Sequence, residues 1–249
     1  MHVQYVKRNE KEKNDMVKNL SHKCRTSWKL TSGISVPLVL LVLFLLGFAS
    51  CSTTKEHQAP NLIIITLDTT RADRLGCYGY AGARTPNLDR IAQEGILFEN
   101  AVCSCPSTVP SHASIMTGLY PQHHGVRVTG SHKLVGSKVT LADILKNKGY
   151  ATGAVISGYP LTKDFGLNKG FDFYDDSFYV EDENQKNVTV ERIAEKSIGI
   201  ALKWLDKNKD SRLFFWLHLY DPHSEYSPPE PFRGEFRDSL YDGEIAYID

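Results

Sequence analysis

Two polar residues stand where their side chains could act as a nucleophile and as a metal ligand. Thr108 precedes Val109-Pro110, and proline is favoured at the first position of a helix, so its hydroxyl would lie beside a helix N-terminus that attracts anions. Asp68 directly follows the apolar run 61–67, and ligands of open parallel sheets bind outside the carboxyl ends of the strands. We therefore expect both residues at one sheet edge. The structural alternatives are a helix N-cap for Thr108 and a turn or N-cap residue for Asp68.

The elements that must position these residues alternate between strand and helix. The β-branched and leucine-rich run 61–67 predicts a strand buried on both faces, as in parallel sheets. Thr85-Pro86 followed by Gly95 is typical of a helix with an N-cap, a first-turn proline and a terminating glycine. The alternation predicts an α/β domain with a mostly parallel sheet and helices on both faces. Further strands are predicted at 96–102, 150–156 and 213–219, further helices at 110–117, 140–148, 188–207 and from 240 onwards, and a loop at 172–183.

Composition limits the class of protein. The 249 residues suffice for one large domain or two small ones, and a hydrophobic content of 41% is enough for a core. The formal net charge is zero, so we expect no nucleic-acid partner. Five cysteines do not make a disulfide framework in a chain of this size. Cys103 and Cys105 flank a single residue, which does not match the C-x₂-C spacing of zinc sites, and we interpret them as packing residues or an incidental pair.

Residues 1–51 are predicted to be an export signal. A basic polar region precedes the apolar stretch 34–48, which is short for a membrane-spanning helix of about 20 residues. Two small residues and Cys51 then resemble the lipobox of bacterial lipoproteins, in which the cysteine is lipidated; an uncleaved membrane anchor is the alternative. Residues 52–60 are interpreted as a polar tether. Either way we expect an exported domain, attached to the membrane through an N-terminal lipid or anchor on the periplasmic or outer side of a bacterial cell envelope.

Several motifs between about residue 60 and the end resemble the sulfatase family, within the alkaline phosphatase superfamily. They occur in family order and extend over about three quarters of the chain. The resemblance implies that residues 61–249 are the N-terminal part of a sulfatase-like α/β catalytic domain, truncated at the C-terminus. The matching segments are LDTTRADRLGCYGY (67–80), TPNLD (85–89), GILF (95–98), PSHASIMTGLYP (110–121) and LYDPHSEY (219–226).

The sequence departs from the family pattern at several positions. Sulfatases carry a cysteine or serine before x-Pro-Ser-Arg, and this residue is oxidised to formylglycine. Here the two positions are Thr108 and His112, and threonine cannot become formylglycine. The family's paired aspartates are Asp68-Thr69, and its lysine and histidine after the next strand have no counterpart in 155–160. These departures resemble the sulfatase-like branch that uses an unmodified threonine or serine, which also includes phosphodiesterases and membrane phosphoglycerol or phosphoethanolamine transferases.

The resemblance also implies roles for individual residues. Thr108 would be the nucleophile, and Asp68 and Thr108 would hold one divalent metal ion, which could be Ca, Mg, Mn or Zn. His223, in the turn after the last predicted strand, matches the family's substrate-binding position and is a predicted catalytic residue. His112 is a further catalytic candidate that could face the substrate, with a helix-surface histidine as the alternative. His218 lies within a predicted strand and is interpreted as a core residue.

Three functions remain open from the sequence. The first is a metal-dependent hydrolase of sulfate or phosphate esters that acts on a small molecule or a glycan. The second is a membrane-associated phosphotransferase that modifies a lipid or an envelope glycan. The third is an inactive truncated fragment, because the helix that begins near residue 240 has no stop signal before Asp249. The Asp-His or Asp-Asn pair that the family contributes from a later strand would lie beyond that residue.

Overall fold

The computed structural model describes residues 59–178 and 191–249. The export signal predicted for 1–51 and nearly all of the tether predicted for 52–60 lie outside the described residues. So does the start of the helix predicted at 188–207. No helix in the described ranges is long and apolar enough to span a membrane.

Four parallel strands form a single sheet, which confirms the predicted α/β fold. The strand order is β1-β4-β2-β3, so β4 is central and pairs with both β1 and β2. Because consecutive strands are parallel, helices and loops must carry the chain back across the sheet between them. The strands are β1 (Leu62–Leu67), β2 (Ala151–Val155), β3 (Phe173–Asp175) and β4 (Leu213–Leu219).

Helices occupy most of the connections between the strands. Short 3-10 turns lie at Ala72–Arg74, Gly76–Tyr78, Tyr159–Leu161 and Lys163–Phe165. The α-helices are α1 (Pro86–Glu94), α2 (Thr108–Thr117), α3 (Pro121–His124), α4 (Leu141–Asn147), α5 (Ala194–Lys207), α6 (Phe232–Glu235) and α7 (Leu240–Ile248).

The two faces of β4 pack against different helices. Every residue of β4 is buried, and successive side chains of a strand point to opposite faces. Phe215 and Leu217 pack with Trp204 of α5 on one face. Trp216 lies on the other face, where its ring is 5.5 Å from that of His112 in α2. Helices therefore cover both faces of the sheet at β4, and the uninterrupted apolar run of β4 follows from burial on both sides. The prediction that β1 is also buried on both faces is wrong, because Ile63 and Ile65 of this edge strand are 49% and 48% exposed.

The predicted strand at 96–102 is wrong. Apart from an isolated β-bridge at Ile96, this segment runs as loop and turn, and Phe98 and Val102 are 49% and 91% exposed. Its apolar residues do not pack in a sheet, so the hydrophobic run alone was a false strand signal. The fourth strand is instead β3, which lies inside the loop predicted at 172–183 and pairs with β2 through Gly153 to Val155.

The helix predicted at 110–117 begins two residues earlier than expected. Thr108 is its first residue, Ser107 occupies the N-cap position, and Gly118 ends it in a left-handed conformation with φ 68°. Pro110 is therefore the third helical residue. Proline is tolerated there because the N–H groups of the first turn have no acceptor within the helix.

Candidate active site

Asp68 lies at the carboxyl end of β1, as predicted. Its backbone N–H donates to the carbonyl of Leu219 at 2.9 Å, which extends the β1–β4 ladder by one bond. Thr69 then adopts a left-handed conformation with φ 50°, and its N–H donates to Asp68 Oδ1 at 2.8 Å. The hydroxyl of Tyr241, in α7, donates to the carbonyl of Thr69 at 2.7 Å and accepts from the N–H of Arg71 at 2.9 Å. The Tyr241 hydroxyl thus bonds to both Thr69 and Arg71 and holds the turn that orients the Asp68 carboxylate.

Thr108 is placed next to Asp68 by the start of α2. Its hydroxyl Oγ1 donates to Asp68 Oδ2 at 3.3 Å. Ser107, the N-cap residue, shares a 2.6 Å hydrogen bond with the hydroxyl of Thr129. The Thr129 hydroxyl also accepts from the N–H of Val109 at 3.2 Å. Thr129 thus contacts the first turn of α2 and fixes the position of Thr108 at the start of the helix.

His218 is a core residue that also touches the site. It is fully buried on β4, and its Nε2 atom lies 3.5 Å from Asp68 Oδ2. This nitrogen has no hydrogen-bond partner among the described residues. Burial alone would raise the pKa of Asp68, but its interaction with His218, followed by the charge of His112, lowers that pKa to about 2. The carboxylate is therefore ionised across the physiological pH range.

His112 is buried beneath Thr108. Its Nδ1 atom lies 2.8 Å from the carbonyl of Thr108, and its Nε2 atom lies 3.3 Å from the hydroxyl of Thr66 in β1. Burial, followed by the charge of His218, lowers the pKa of His112 to about 3, so the imidazole is neutral at physiological pH. The alternative of a helix-surface histidine is excluded, because this side chain is only 1% exposed.

His223 lies in the turn that follows β4. Its ring stacks on that of Tyr220, with the centroids 4.3 Å apart and the planes within 14°. Its Nδ1 atom is 2.9 Å from the carbonyl of Ser224. Nε2 of the same ring is therefore the nitrogen left to meet a ligand.

One cavity brings the predicted site residues together. It has a volume of about 430 Å³, which is large enough for a small ester group. Cys103 and Cys105 also line it, so these thiols lie at the site and not in the core. The four predicted residues in its wall are Asp68, Thr108, His112 and His223.

The side chains around Asp68 form part of a metal donor set. An ionised carboxylate, a threonine hydroxyl and a buried imidazole nitrogen without a partner meet at Asp68 Oδ2. Oxygen and imidazole donors of this kind suit divalent cations. In residues 59–178 and 191–249, however, no group of three or more His, Cys, Asp or Glu side chains has the arrangement of a metal site. Asp68 and Thr108 therefore fit a divalent ion as a partial set of ligands, whereas Nδ1 of His218 accepts from the N–H of Ser157, which leaves the proton of a neutral ring on Nε2.

Several residues of the site were missed by sequence reasoning. Tyr220 and Thr129 line the cavity, and Tyr241 reaches the Asp68 turn from far along the chain. Only His218 left a usable signal. It pairs in register with Thr66, two residues before Asp68, so a polar residue near the end of a buried strand should have been placed at the site.

A family profile described as Sulfatase matches residues 60–249. Among curated proteins, the N-acetylglucosamine-6-O-sulfatase of Bacteroides thetaiotaomicron is 28% identical over 216 residues, which are 82% of this chain and 38% of the relative. This chain thus spans well under half the length of that relative.

Solved structures give a matching fold. One, described as in complex with its substrate D-glucosamine-2-N,6-O-disulfate, has a TM-score of 0.58 and 25% identity over 72% of this chain and 38% of that one. The phosphonate monoester hydrolase of Agrobacterium radiobacter also has a TM-score of 0.58, with 24% identity over 72% of this chain and 44% of that one. The second likeness concerns the fold alone.

Proposed function

Since this chain belongs to the sulfatase family, we propose that its domain is a metal-dependent hydrolase of sulfate or phosphate esters with Thr108 as nucleophile. The observation that carries the proposal is the 3.3 Å approach of Thr108 Oγ1 to Asp68 Oδ2 within one cavity. A hydroxyl beside an ionised carboxylate at a helix start is suited to attack an anionic ester, since helix N-termini favour negative charge.

The proposed reaction passes through a covalent threonine ester. A threonine alcohol is a weak nucleophile at neutral pH and needs activation. Thr108 Oγ1 forms a bond to the sulfur or phosphorus, and the ester alcohol leaves with a proton. Water then attacks the same centre, which restores the threonine hydroxyl and releases sulfate or phosphate. The ring of His223, stacked on Tyr220 at the cavity wall, is proposed to bind the ester oxygens.

Asp68 and Thr108 are proposed to hold one divalent ion. Such an ion would supply Lewis acidity and lower the pKa of a bound hydroxyl. Asp68 suits this role because its carboxylate is ionised at physiological pH. Nδ1 of His218 accepts from the N–H of Ser157 at 3.5 Å, so in a neutral ring the proton lies on Nε2 and faces this carboxylate.

A sulfated glycan is the proposed substrate class. One relative is named as a sulfatase of N-acetylglucosamine, and a structural neighbour is described in complex with a disulfated glucosamine. Phosphate esters stay within the proposal because a threonine nucleophile does not require formylglycine.

The test compares two threonines of the same helix in the complete gene product. Thr108→Ala removes the proposed nucleophile. Thr117→Ala removes a hydroxyl at the far end of α2 that donates to the carbonyl of Ala113 and accepts from the N–H of Leu119. Both are assayed on 4-nitrophenyl sulfate and bis(4-nitrophenyl) phosphate after chelation and return of Ca, Mg, Mn or Zn. We expect Thr108→Ala to lose roughly 10³-fold or more in kcat and Thr117→Ala to stay near wild type. Undiminished turnover in Thr108→Ala would refute the nucleophile.

The same preparation distinguishes a hydrolase from a transferase. Rapid acid quenching followed by mass spectrometry should find the sulfo or phospho group on Thr108. Adding an alcohol acceptor then shows where the group goes. Release only to water, as sulfate from the sulfate ester or as 4-nitrophenyl phosphate from the phosphate diester, supports the hydrolase, whereas an acceptor ester as the main product would replace it with a phosphotransferase.

We also propose that the domain is exported and tethered to the membrane through Cys51. The basis is the apolar stretch 34–48 and the small residues before this cysteine. Cys51→Ser should move the protein from the membrane to the soluble envelope fraction. Retention of that variant in the membrane would favour an uncleaved anchor.

A further inference from the structure

A chain of buried hydrogen bonds connects the sheet to the residue that carries the proposed nucleophile. The indole Nε1–H of Trp216 donates to the hydroxyl of Thr66 at 3.0 Å. That hydroxyl lies 3.3 Å from His112 Nε2, and His112 Nδ1 lies 2.8 Å from the carbonyl of Thr108. Trp216 and Thr66 are fully buried, and His112 is 1% exposed. Water therefore cannot easily replace any of these bonds.

The chemistry of the groups sets the direction of every bond. An indole N–H can only donate, and a carbonyl can only accept. Thr66 Oγ1 thus accepts from Trp216, and its own proton is free to go to His112 Nε2. The Thr108 carbonyl requires the proton on Nδ1, and in a neutral ring Nε2 is then the acceptor for the Thr66 hydroxyl. The four groups satisfy one another with the neutral Nδ1–H tautomer.

From this geometry we infer that His112 is a positioning residue and not a catalytic acid or base, and that Thr66 and Trp216 act through it. Both ring nitrogens are engaged on protein groups, so neither is available to a substrate. The bond to the Thr108 carbonyl fixes the backbone of the first residue of α2. It thereby sets where Oγ1 lies relative to Asp68 Oδ2, 3.3 Å away.

The inference rests on the proposed function for its catalytic consequence, but its first test does not. Long-range ¹H–¹⁵N spectra of the complete protein report the tautomer of each histidine, and the His112 signals are assigned by their loss in His112→Asn. We expect a neutral ring with the proton on Nδ1 that stays unchanged when substrate is added. A proton on Nε2, or a ring that changes its protonation on substrate binding, would overturn the inference.

The second test removes one hydroxyl from the chain of bonds. Thr66→Val keeps the shape of the side chain and deletes its hydroxyl, whereas Thr66→Ser keeps the hydroxyl. We expect Thr66→Val to lower kcat by roughly 10- to 100-fold with little change in KM, because a small displacement of the nucleophile is costly to the rate. Thr66→Ser should recover most of this loss.

The outcomes separate the inference from the proposed function. Equal kcat in Thr66→Val and wild type would refute a positioning role, even if Thr108→Ala is inactive. Conversely, an active Thr108→Ala protein with the expected His112 tautomer would refute the nucleophile and leave the hydrogen-bond assignment standing. If Thr66→Val does not fold, the tautomer of the wild-type protein decides the inference.

Discussion

Glu244 provides a quantitative test of the packing behind the site. This residue of α7 is only 5% exposed. Its Oε1 atom accepts from the N–H of Ser227 at 2.6 Å, and its Oε2 atom has no hydrogen-bond partner among the described residues. Burial, against the opposing effect of the Ser227 N–H and together with the negative charges of Asp221 and Glu191, raises the pKa of Glu244 from 4.5 to about 7.

The sign of the pH effect follows from the direction of this shift. Because the pKa of Glu244 is higher in the folded protein than in the unfolded chain, the folded state binds the proton more tightly. The resulting stability is fully present below about pH 4.5 and is lost as the pH rises through about 7. At about 1.4 kcal/mol for each pKa unit, the full shift corresponds to roughly 3 kcal/mol. Solvent screening near the Ser227 loop reduces this to roughly 1–2 kcal/mol.

The assay is urea unfolding at a series of pH values for the wild type and Glu244→Gln. The glutamine can still accept from Ser227 but does not titrate. Between about pH 5 and about pH 8 we expect the free energy of unfolding of the wild type to fall by roughly 1–2 kcal/mol more than that of Glu244→Gln. The control is Glu235→Gln, which alters an exposed ion pair with Arg84 and should follow the wild-type curve. Parallel curves for wild type and Glu244→Gln would refute the reasoning.

Two further predictions concern the turn after β1 and the packing of β2. Tyr241→Phe deletes the hydroxyl that holds the Asp68 turn and should weaken divalent-ion binding in isothermal titration by roughly tenfold; unchanged affinity would contradict that role. Gly153→Ala would place a methyl 2.6 Å from the Trp204 ring. It should lower the free energy of unfolding of the protein, measured by urea denaturation, by roughly 1–3 kcal/mol. Gly199→Ala, in open space within α5, should instead stabilise it by roughly 0.5–1 kcal/mol, and equal effects of the two would contradict the packing.

The long apolar strands were predictable from sequence, although burial on both faces holds for β4 and not for β1; short strands were not predictable. The seven-residue strand β4 has the predicted bounds. A strand that is covered on both faces is apolar along nearly its whole length, so its ends are visible in the sequence. The three-residue β3 lies in a polar segment and exists through pairing with β2. Its local sequence carries too little pattern to show this. At 96–102 the error was reversed, because exposed apolar residues predicted a strand that the structure does not have.

The positions of Asp68 and His223 were predictable because Asp68 directly follows β1, His223 lies in the turn after β4, and both strands end at the same sheet edge. What sequence reasoning could not provide is the support for these residues. Tyr241 contacts the Asp68 turn across 172 residues of sequence. His112 lies one helical turn from Thr108, but the sequence pattern does not distinguish a ring facing the cavity from one facing the sheet.

The departures from the family pattern at Thr108 and His112 form a single structural unit. The family's residue at the second position is an arginine, whose charge is permanent. In this chain the position lies among Thr66, Trp216 and the Thr108 carbonyl with 1% exposure, where burial makes a permanent charge costly even with the Asp68 carboxylate close enough to act on the pKa of His112. A neutral imidazole supplies one donor and one acceptor, which match the two groups it meets. In the proposed function, a threonine that needs no oxidation and a histidine that hydrogen-bonds to its carbonyl together position a hydroxyl beside Asp68.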